Sequence, residues 1–288
     1  MPETRNSFKH CQMLLVLFYL LLFSNSSAAF ESKKSFTFGV VPQHEVRHLI
    51  DTWTPIFDYL SEKSGHKFVF IASPDIPTFE KQLQEGVFDF AYANPFQFLQ
   101  AFQSQGYKAI LRDDSKKLQG IIVTKKTEKN SKLEELNGKK IAFPAPNALG
   151  ATLMVRYELK KLHNIKVIPR YVRTHKSVYL QVATGRYLAG GGVKSTLLAQ
   201  PIELRKKLRI IHYTSSVFSH PIIAHPRVRT NEIKNITDLF MSLSDSLHGK
   251  SILKNVNLNK LSMARHSDYS DLESMKLDTY MLHFKGGK

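Results

Sequence analysis

The chain has 288 residues, of which 42% are hydrophobic and one is a cysteine. This length is sufficient for one or two domains with an adequate hydrophobic core and no disulfides. Lysine and arginine number 41 against 24 acidic residues, but the basic residues are scattered along the chain. Because nucleic-acid binders concentrate basic residues on one face or in a recognisable motif, we expect no nucleic-acid partner. The composition favours a solvated basic surface that attracts anions.

The N-terminus has the pattern of a secretory signal peptide. Arg5 and Lys9 precede the apolar segment Met13–Phe23, and small residues follow at 27–29. This apolar segment is shorter than the ~20 residues needed to span a bilayer. We therefore predict that residues 1–29 are cleaved and that the mature protein is exported. An uncleaved N-terminal anchor is the alternative.

The single cysteine, Cys11, precedes the apolar segment and would be removed with the signal. A mature chain without a thiol cannot form disulfides, and it has no cysteine nucleophile or cysteine metal ligand. A lipoprotein signal would place a cysteine at the cleavage site, so we expect no lipid anchor.

The mature chain begins with alternating strand and helix patterns, which predict an α/β sheet. The predicted elements are a strand at Ser35–Val41, a helix from Val46 to Gly65, a strand at Phe68–Ile71, a short helix ending at Gly86, a strand at Phe88–Ala93, a helix from Asn94 to about Gln105, and strands at Lys108–Leu111 and Gly120–Thr124.

The same pattern then restarts and predicts a second α/β unit. Its elements are a segment at Leu133–Leu136, a strand at Ile141–Phe143 with its helix, a strand at Lys166–Val172, a helix from Ser177, and a strand at Ala189–Val193. Strand-like segments at Leu208–Tyr213 and Ile222–Ala224 lead back to the first unit, where Glu232–Leu247 and Asp268–Met275 are predicted helices.

No low-complexity linker separates the two units, so the pattern favours an inserted lobe joined by two crossovers. We predict that residues 30–122 and 214–288 form the first lobe and that residues 123–213 form the second. Ligands in such architectures bind between the lobes, at the carboxyl ends of the strands.

The stretch Lys140–Leu162 is a candidate binding segment. It predicts a buried strand end, a turn containing prolines and a long helix whose N-cap is Asn147. The mostly small residues at 148–151 would allow a ligand to approach the free amides of the first helical turn. A helix N-terminus favours an anion. An ordinary strand–helix connection is the alternative interpretation.

The segment His44-Glu45-Val46-Arg47-His48 matches the zincin motif HExxH, in which two histidines bind zinc and glutamate is the general base. Asp51 and Thr54 occupy the positions of the glycine and histidine that continue the metzincin motif. Glu62 is too close to be the third ligand of the other zincin branch. We therefore expect an accidental match and no metal. A weaker alternative is that His44 and His48 face the cleft and bind a metal or an anion without chemistry.

Six segments together resemble the phosphate/phosphite/phosphonate-binding family, the periplasmic substrate-binding proteins of ABC importers. They are FTFGVVPQ, WTPIFDYLSEKSG, FDFAYANP, LNGKKIAFPAPNALGA, THKSVYLQVATGRYLAGGGV and AHPRV. The resemblance implies a type II periplasmic binding protein in which each lobe is a mixed sheet flanked by helices. Two crossover strands would form a hinge that closes on the ligand. It implies neither catalysis nor a cofactor.

The resemblance also implies where the ligand binds. The ligand-binding residues expected from it are Tyr92, Asn94, Asn147, Ala148, Leu149, Gly150, Thr152, His175, Tyr179 and Gly191. The family's Ser-Thr-Ser run falls on Ala148-Leu149-Gly150, so backbone amides would have to replace its hydroxyls. Lys176 and Leu188 occupy the positions of the acids that hold the ligand amine in aminophosphonate binders. The loss of these acids argues against an aminophosphonate ligand.

Each of these side chains also has a structural interpretation. Tyr92 and Tyr179 could be core aromatics, His175 a hydrogen-bonded structural histidine, and the glycines at 190–192 a site of close strand packing.

The function predicted from the sequence is delivery of a small oxyanion by a monomeric periplasmic protein to an ABC permease. The first alternative uses the same module as the ligand-sensing partner of a membrane histidine kinase. A zinc metalloprotease is the remote alternative.

Overall fold

Residues 34–127 and 132–281 are described by a computed structural model, and they form two β-sheets flanked by helices. The predicted signal peptide, residues 1–29, lies outside the described residues. Within the described ranges, no helix is long and apolar enough to cross a membrane.

The strands follow the predicted order along the chain. They are β1 (Ser35–Val40), β2 (Lys67–Ile71), β3 (Phe90–Tyr92), β4 (Lys108–Asp113), β5 (Lys117–Lys125), β6 (Lys140–Phe143), β7 (Ile168–Tyr171), β8 (Ala189–Val193), β9 (Leu208–Phe218), β10 (Pro221–Ala224) and β11 (Leu261–Met263).

Helices connect these strands. They are α1 (Val46–Ser64), α2 (Ile76–Gln84), α3 (Pro95–Gln105), α4 (Val155–Lys161), α5 (His175–Ala183), α6 (Lys194–Leu198), α7 (Ile202–Arg205), α8 (Thr230–Ser242), α9 (Leu247–Asn255) and α10 (Asp271–Ser274). A π-helix at Leu149–Met154 leads directly into α4.

The first sheet has the spatial order β11-β4-β10-β3-β1-β2. Strand β1 is parallel to both β2 and β3, whereas β10 is antiparallel to β3 and β4. The carboxyl ends of β1 and β3 therefore meet at one edge of the sheet. Helix α1 covers this sheet with the apolar face that its spacing predicts, including buried Trp53 and Ile56. Gly65 ends the helix at φ 73°, a left-handed conformation that favours glycine.

The second sheet has the order β7-β6-β8-β5-β9 and contains both connections to the first. Strand β5 follows β4 of the first sheet, and β9 is followed by β10, which returns to the first sheet. These two strands pair with each other in antiparallel orientation along most of their length. They are the two crossovers of a two-lobed architecture. The lobe boundaries at 122/123 and 213/214 remain a prediction.

Several details differ from the sequence prediction. The predicted helix Glu232–Leu247 ends at Ser242 as α8 and is followed by a short 3₁₀ turn, whereas helix α9 and the short strand β11 were missed. The helix after β6 begins as a π-helix at Leu149, and its N-cap is Ala148 without a side-chain hydrogen bond. The prediction that Asn147 caps this helix is therefore wrong, and the side chain of Asn147 has a different partner, described below.

Candidate functional site

A cavity of about 620 Å³ lies between the two sheets, at the carboxyl ends of β1 and β3. Val40 and Tyr92, the last residues of these strands, line it. The first turns of α1 and the end of α9 provide one wall, and α6 with the starts and ends of the crossover strands provides the other. The cavity is thus built from both lobes, as expected for the ligand site of this architecture.

Seven basic side chains belong to the polar lining of this cavity. They are Lys116, Lys117, Lys194, Lys254, His44, His48 and His220. Of the described residues that line the cavity, none is an aspartate or a glutamate. A ligand that enters this space therefore meets lysines directly, and the described lining places no carboxylate against it.

Two of the four lysines already have partners. The amino group of Lys116 lies 3.4 Å from a carboxylate oxygen of Asp113 and donates to the carbonyl oxygen of Asn257 at 2.7 Å. The amino group of Lys117 lies 3.3 Å from the centre of the Phe218 ring, in a cation–π contact. These contacts fix both lysines at the base of the crossover strand β5.

The amino groups of the other two lysines, Lys194 and Lys254, make no hydrogen bond or ion pair with any other described residue. The closest feature to Lys194 is the Tyr213 ring, whose centre is 6.0 Å from the amino group. Lys194 begins α6 in the second lobe, whereas Lys254 lies near the end of α9, which packs against α1 in the first lobe. Each lobe therefore contributes one positive charge that is available to a ligand.

Both histidines of the HExxH segment line the cavity, with ring centres 5.0 Å apart. Burial, together with the charge of His48, lowers the pKa of His44 below its ordinary value. Glu45 is exposed and does not line the cavity. Within the part of the chain that the structure describes, no group of three or more His, Cys, Asp or Glu residues is arranged to hold a metal ion. The geometry places the two histidines where they can contact an anion.

Aromatic rings form a row along the base of the cavity. The Tyr92 ring lies 5.1 Å from Trp53 and is stacked on His220 at 5.3 Å. The side-chain nitrogen of Gln43 lies 3.0 Å from Nε2 of His220. Because an amide nitrogen can only donate, Nε2 accepts this hydrogen bond and the ring is neutral. Consistent with this, burial and the charge of Lys116 lower the pKa of His220 to about 3.

A much smaller space of about 10 Å³ lies beside the start of the π-helix. The predicted residues that line it are Asn94, Ala148, Leu149, Gly150 and His175. Val41, Gln43, Leu118 and His220 line both spaces, so the small cavity adjoins the large one. The structure therefore brings five of the ten predicted residues together here and places Tyr92 in the larger cavity.

The side chain of Asn147 joins the two lobes instead of capping a helix. Its Nδ2 donates to Oε2 of Glu80 on α2 at 2.8 Å, and its own Oδ1 is buried with no hydrogen-bond partner among the described residues. Gln97 donates to the other carboxylate oxygen of Glu80 at 3.2 Å and forms a capping box with Asn94. Burial raises the pKa of Glu80 to about 7, although these two hydrogen bonds act in the opposite direction.

His175 belongs to a buried chain of hydrogen bonds in the second lobe. Its Nδ1 lies 3.2 Å from the hydroxyl of Thr196, which lies 2.7 Å from the hydroxyl of Tyr179. Burial, with smaller contributions from His44 and His220, lowers the pKa of His175 to about 3. Tyr179 is fully buried in this chain and lines neither cavity. It holds Thr196, which in turn fixes the imidazole of His175.

Thr152 and Gly191 also lie outside the lining of both cavities. The hydroxyl of Thr152 donates to the carbonyl oxygen of Ala145 at 2.7 Å, within the loop before the π-helix. A Cβ at Gly191 would come to 2.5 Å from the Phe143 ring, so this glycine permits close packing of β8. Both residues therefore shape the loop and strand behind the small cavity.

The sequence interpretation missed the lysines and His220. Lys194 follows directly after the buried strand β8, and a polar residue after a strand end is a general signal for a site. For Lys254 no local signal exists, because an exposed lysine near a helix C-terminus is common.

This architecture, two mixed sheets flanked by helices and joined by two crossover strands around a central cavity, defines a type II periplasmic binding protein. The family model for the periplasmic substrate-binding protein of phosphonate ABC transporters matches residues 38–269. The chain belongs to this family, and the resemblance noted in its sequence is confirmed. No protein of curated function is similar enough in sequence to match the chain.

Solved structures show the same fold at low sequence identity. PhnD1 from Prochlorococcus marinus, in complex with methylphosphonate, has a TM-score of 0.77 and 16% identity, covering 86% of this chain and 99% of that one. A binding protein component of an ABC phosphonate transporter from Pseudomonas aeruginosa has a TM-score of 0.76 and 14% identity, covering 85% and 86%. A Xanthomonas citri protein bound to ATP has a TM-score of 0.68 and 14% identity, covering 86% and 98%.

Proposed function

We propose that this protein binds a phosphonate-like oxyanion in the cavity between its lobes and delivers it to the permease of an ABC importer. The family supports the role of a periplasmic substrate-binding protein. The observation that carries the choice of ligand charge is the lining of the large cavity, with four lysines and no carboxylate among its described residues. A buried anion is stable only where donors or positive charges compensate for its lost hydration.

Closure of the lobes follows from the distribution of these charges. Lys194 and Lys254 belong to different lobes and repel each other when no ligand is present. An oxyanion between them attracts both, so its binding energy favours the closed arrangement. The crossover strands β5 and β9 are the elements about which this motion would occur.

The same lining disfavours ligands that carry an ammonium group. Such a group needs a carboxylate or several acceptor oxygens to leave water, and the described lining offers only amide, hydroxyl and carbonyl oxygens beside the lysines. We therefore expect 2-aminoethylphosphonate to bind more weakly than methylphosphonate.

The proposal includes export through a cleaved signal at residues 1–29 and action as a monomer. It assigns no catalysis to the chain, because members of this family are binding proteins. The alternative partner, a membrane histidine kinase, would recognise the same closed form.

A thermal-shift panel tests the ligand class. The purified mature protein is heated with methylphosphonate, phosphate, phosphite, sulfate, 2-aminoethylphosphonate and glutamine, a zwitterion of zero net charge that serves as the control without an oxyanion of phosphorus or sulfur. A ligand at one hundred times its Kd stabilises the folded state by about 2.7 kcal/mol, which produces a clear rise in Tm. Stabilisation by methylphosphonate above all non-phosphorus ligands supports the proposal. Stabilisation by glutamine alone, or by none of the anions, refutes it.

A crosslinking experiment tests the partner. Ligand-loaded protein is crosslinked to membranes of its own host, and the captured protein is identified by mass spectrometry. Capture of a permease subunit supports import, whereas capture of a histidine kinase shows that the protein is a sensor.

A further inference from the structure

The space beside the π-helix is too small for a tetrahedral oxyanion. Its volume of about 10 Å³ is only about what one water molecule needs. Ile76, Leu149 and Val193 line it and leave no room for more. A Cβ on Gly150 would lie 2.6 Å from a methyl group of Val193, so the backbone there is already in close contact with β8. A ligand head must therefore lie in the adjoining cavity.

That adjoining cavity is much larger than a methylphosphonate ion requires. Its volume of about 620 Å³ lies within the range of ~300–1,000 Å³ that is typical of sites enclosing a whole drug-sized ligand. A small oxyanion would leave most of the space to water. An organic anion with a substantial body would fill it and bury more surface.

The available charges suit a ligand head with two negative charges. Lys194 and Lys254 have no charged partner among the described residues, whereas Lys116 is compensated by Asp113 and Lys117 is held against the Phe218 ring without a carboxylate. Phosphate monoesters carry a charge of about −1.5 to −2 near neutral pH, and a phosphonate between positive groups is driven towards its dianion. One such head would compensate both free lysines, which a carboxylate with a single charge could not do.

The remaining lining suits a planar or apolar body. The rings of Trp53, Tyr92 and His220 form a continuous row with centres 5.1 and 5.3 Å apart. Leu198 also lines the cavity, although 55% of its surface is exposed. A large apolar side chain that is exposed inside a binding cleft can bury its surface against an apolar group of the ligand.

We infer that the natural ligand is an organic phosphonate or phosphate monoester with a planar or apolar body. Its dianionic head lies between Lys194 and Lys254. Its body lies against Trp53, Tyr92 and Leu198. This inference rests on the proposed function and narrows it from oxyanions in general to bulky organic ones.

Isothermal titration calorimetry tests the inference with four probes. They are phenylphosphonate, phenyl phosphate, methylphosphonate and inorganic phosphate. We expect at least one phenyl compound to bind tenfold or more tightly than methylphosphonate. The preferred phenyl compound distinguishes a phosphonate from a phosphate monoester as the natural head group.

Two leucine variants locate the body of the ligand. Leu198→Ala should weaken the binding of the phenyl compounds at least threefold more than that of methylphosphonate. Leu180→Ala is the matched control, because Leu180 is 43% exposed but lines neither cavity, and it should change neither affinity. Both leucine side chains are exposed, so neither truncation should change the Tm of the unliganded protein.

The outcomes separate this inference from the proposed function. If methylphosphonate binds as tightly as the phenyl compounds, the inference is overturned and the proposed function stands. If Leu198→Ala leaves the preference unchanged, the placement of the body is overturned. If none of the four probes binds, the proposed function fails, and the inference fails with it.

Discussion

The two adjoining spaces between the lobes differ in size by a factor of about sixty, 620 against 10 Å³. The smaller one lies beside a helix start, the usual location for an anion, yet Leu149 and Ile76 fill it. The larger one takes its charge from side chains on both lobes. The comparison shows that the fold provides a cleft, whereas the side chains decide which part of the cleft holds a ligand.

The first prediction tests this difference between the two cavities by enlarging the small one. Leu149 is 2% exposed, and Leu149→Ala should lower the free energy of unfolding by about 2–5 kcal/mol because it removes buried methyl groups and leaves a cavity. It should also allow a small oxyanion to reach the amides at 149–151. Urea unfolding measures the first effect, and calorimetry with methylphosphonate should show tighter binding.

The matched control for this change is Leu153→Ala. Leu153 lies on the same π-helix, is fully buried and does not line the small cavity. It should destabilise the protein to a similar degree and leave methylphosphonate binding unchanged. Equal binding by both variants would show that the small space takes no part in recognition.

The second prediction concerns the charges of the large space. Reversing both free lysines, with Lys194→Glu and Lys254→Glu, should weaken anion binding by about one hundredfold or more, which corresponds to about 2.7 kcal/mol. Both residues are exposed, so the Tm of the unliganded protein should change little. Calorimetry at low and high salt measures the effect, which should shrink as salt screens the charges.

Lys250→Glu is the control for charge alone. Lys250 lies on α9 with Lys254 but does not line the cavity. Lys250→Glu changes the net charge as much as Lys254→Glu does, and it should alter the affinity for the anion only slightly. If it weakens binding as much as Lys254→Glu does, the anion senses the field of the whole protein, not the two lysines.

The third prediction is a pH dependence of stability. The pKa of His220 is lowered to about 3 in the folded protein, whereas an unfolded histidine titrates near 6.5. The unfolded state therefore binds more protons as pH falls below about 6.5, and stability falls by about 1.4 kcal/mol per pH unit per histidine in that range. His220→Gln should lose about 1.4 kcal/mol less than the parent between pH 7.5 and 5.5.

Urea unfolding at the two pH values measures this difference. Exposed His248→Gln should retain the slope of the parent protein. An unchanged slope in His220→Gln would mean that the imidazole of His220 is accessible to protons in the folded state.

Most of the fold was predictable because its signals are local. The apolar spacing of α1 and the stop at Gly65 lie within one element, and the Asn94 capping box spans four consecutive residues. Strand β11 was missed because it is only three residues long and gains its pairing from β4, far away in sequence. A short edge strand of this kind has little pattern of its own.

The site was predictable in location and less so in detail. Tyr92 and His175 follow from the family motifs, and both line the cleft. The role of Asn147 could not be foreseen, because its partner Glu80 is 67 residues away. The roles of Lys194 and Lys254 could not be foreseen either, because these lysines belong to different lobes and line one cavity only in the folded protein.

The hydrogen bond between Glu80 and Asn147 connects the two lobes, so hinge opening would have to break it. If opening of the lobes separates Asn147 from Glu80, the carboxyl loses both the burial that raises its pKa to about 7 and the hydrogen bond that lowers it. Because burial is the larger cause, the pKa of Glu80 would fall on opening, and a proton would be released near neutral pH. By linkage, we expect acidification to favour the closed form even before a solute arrives. Such an effect would need no space in either cavity.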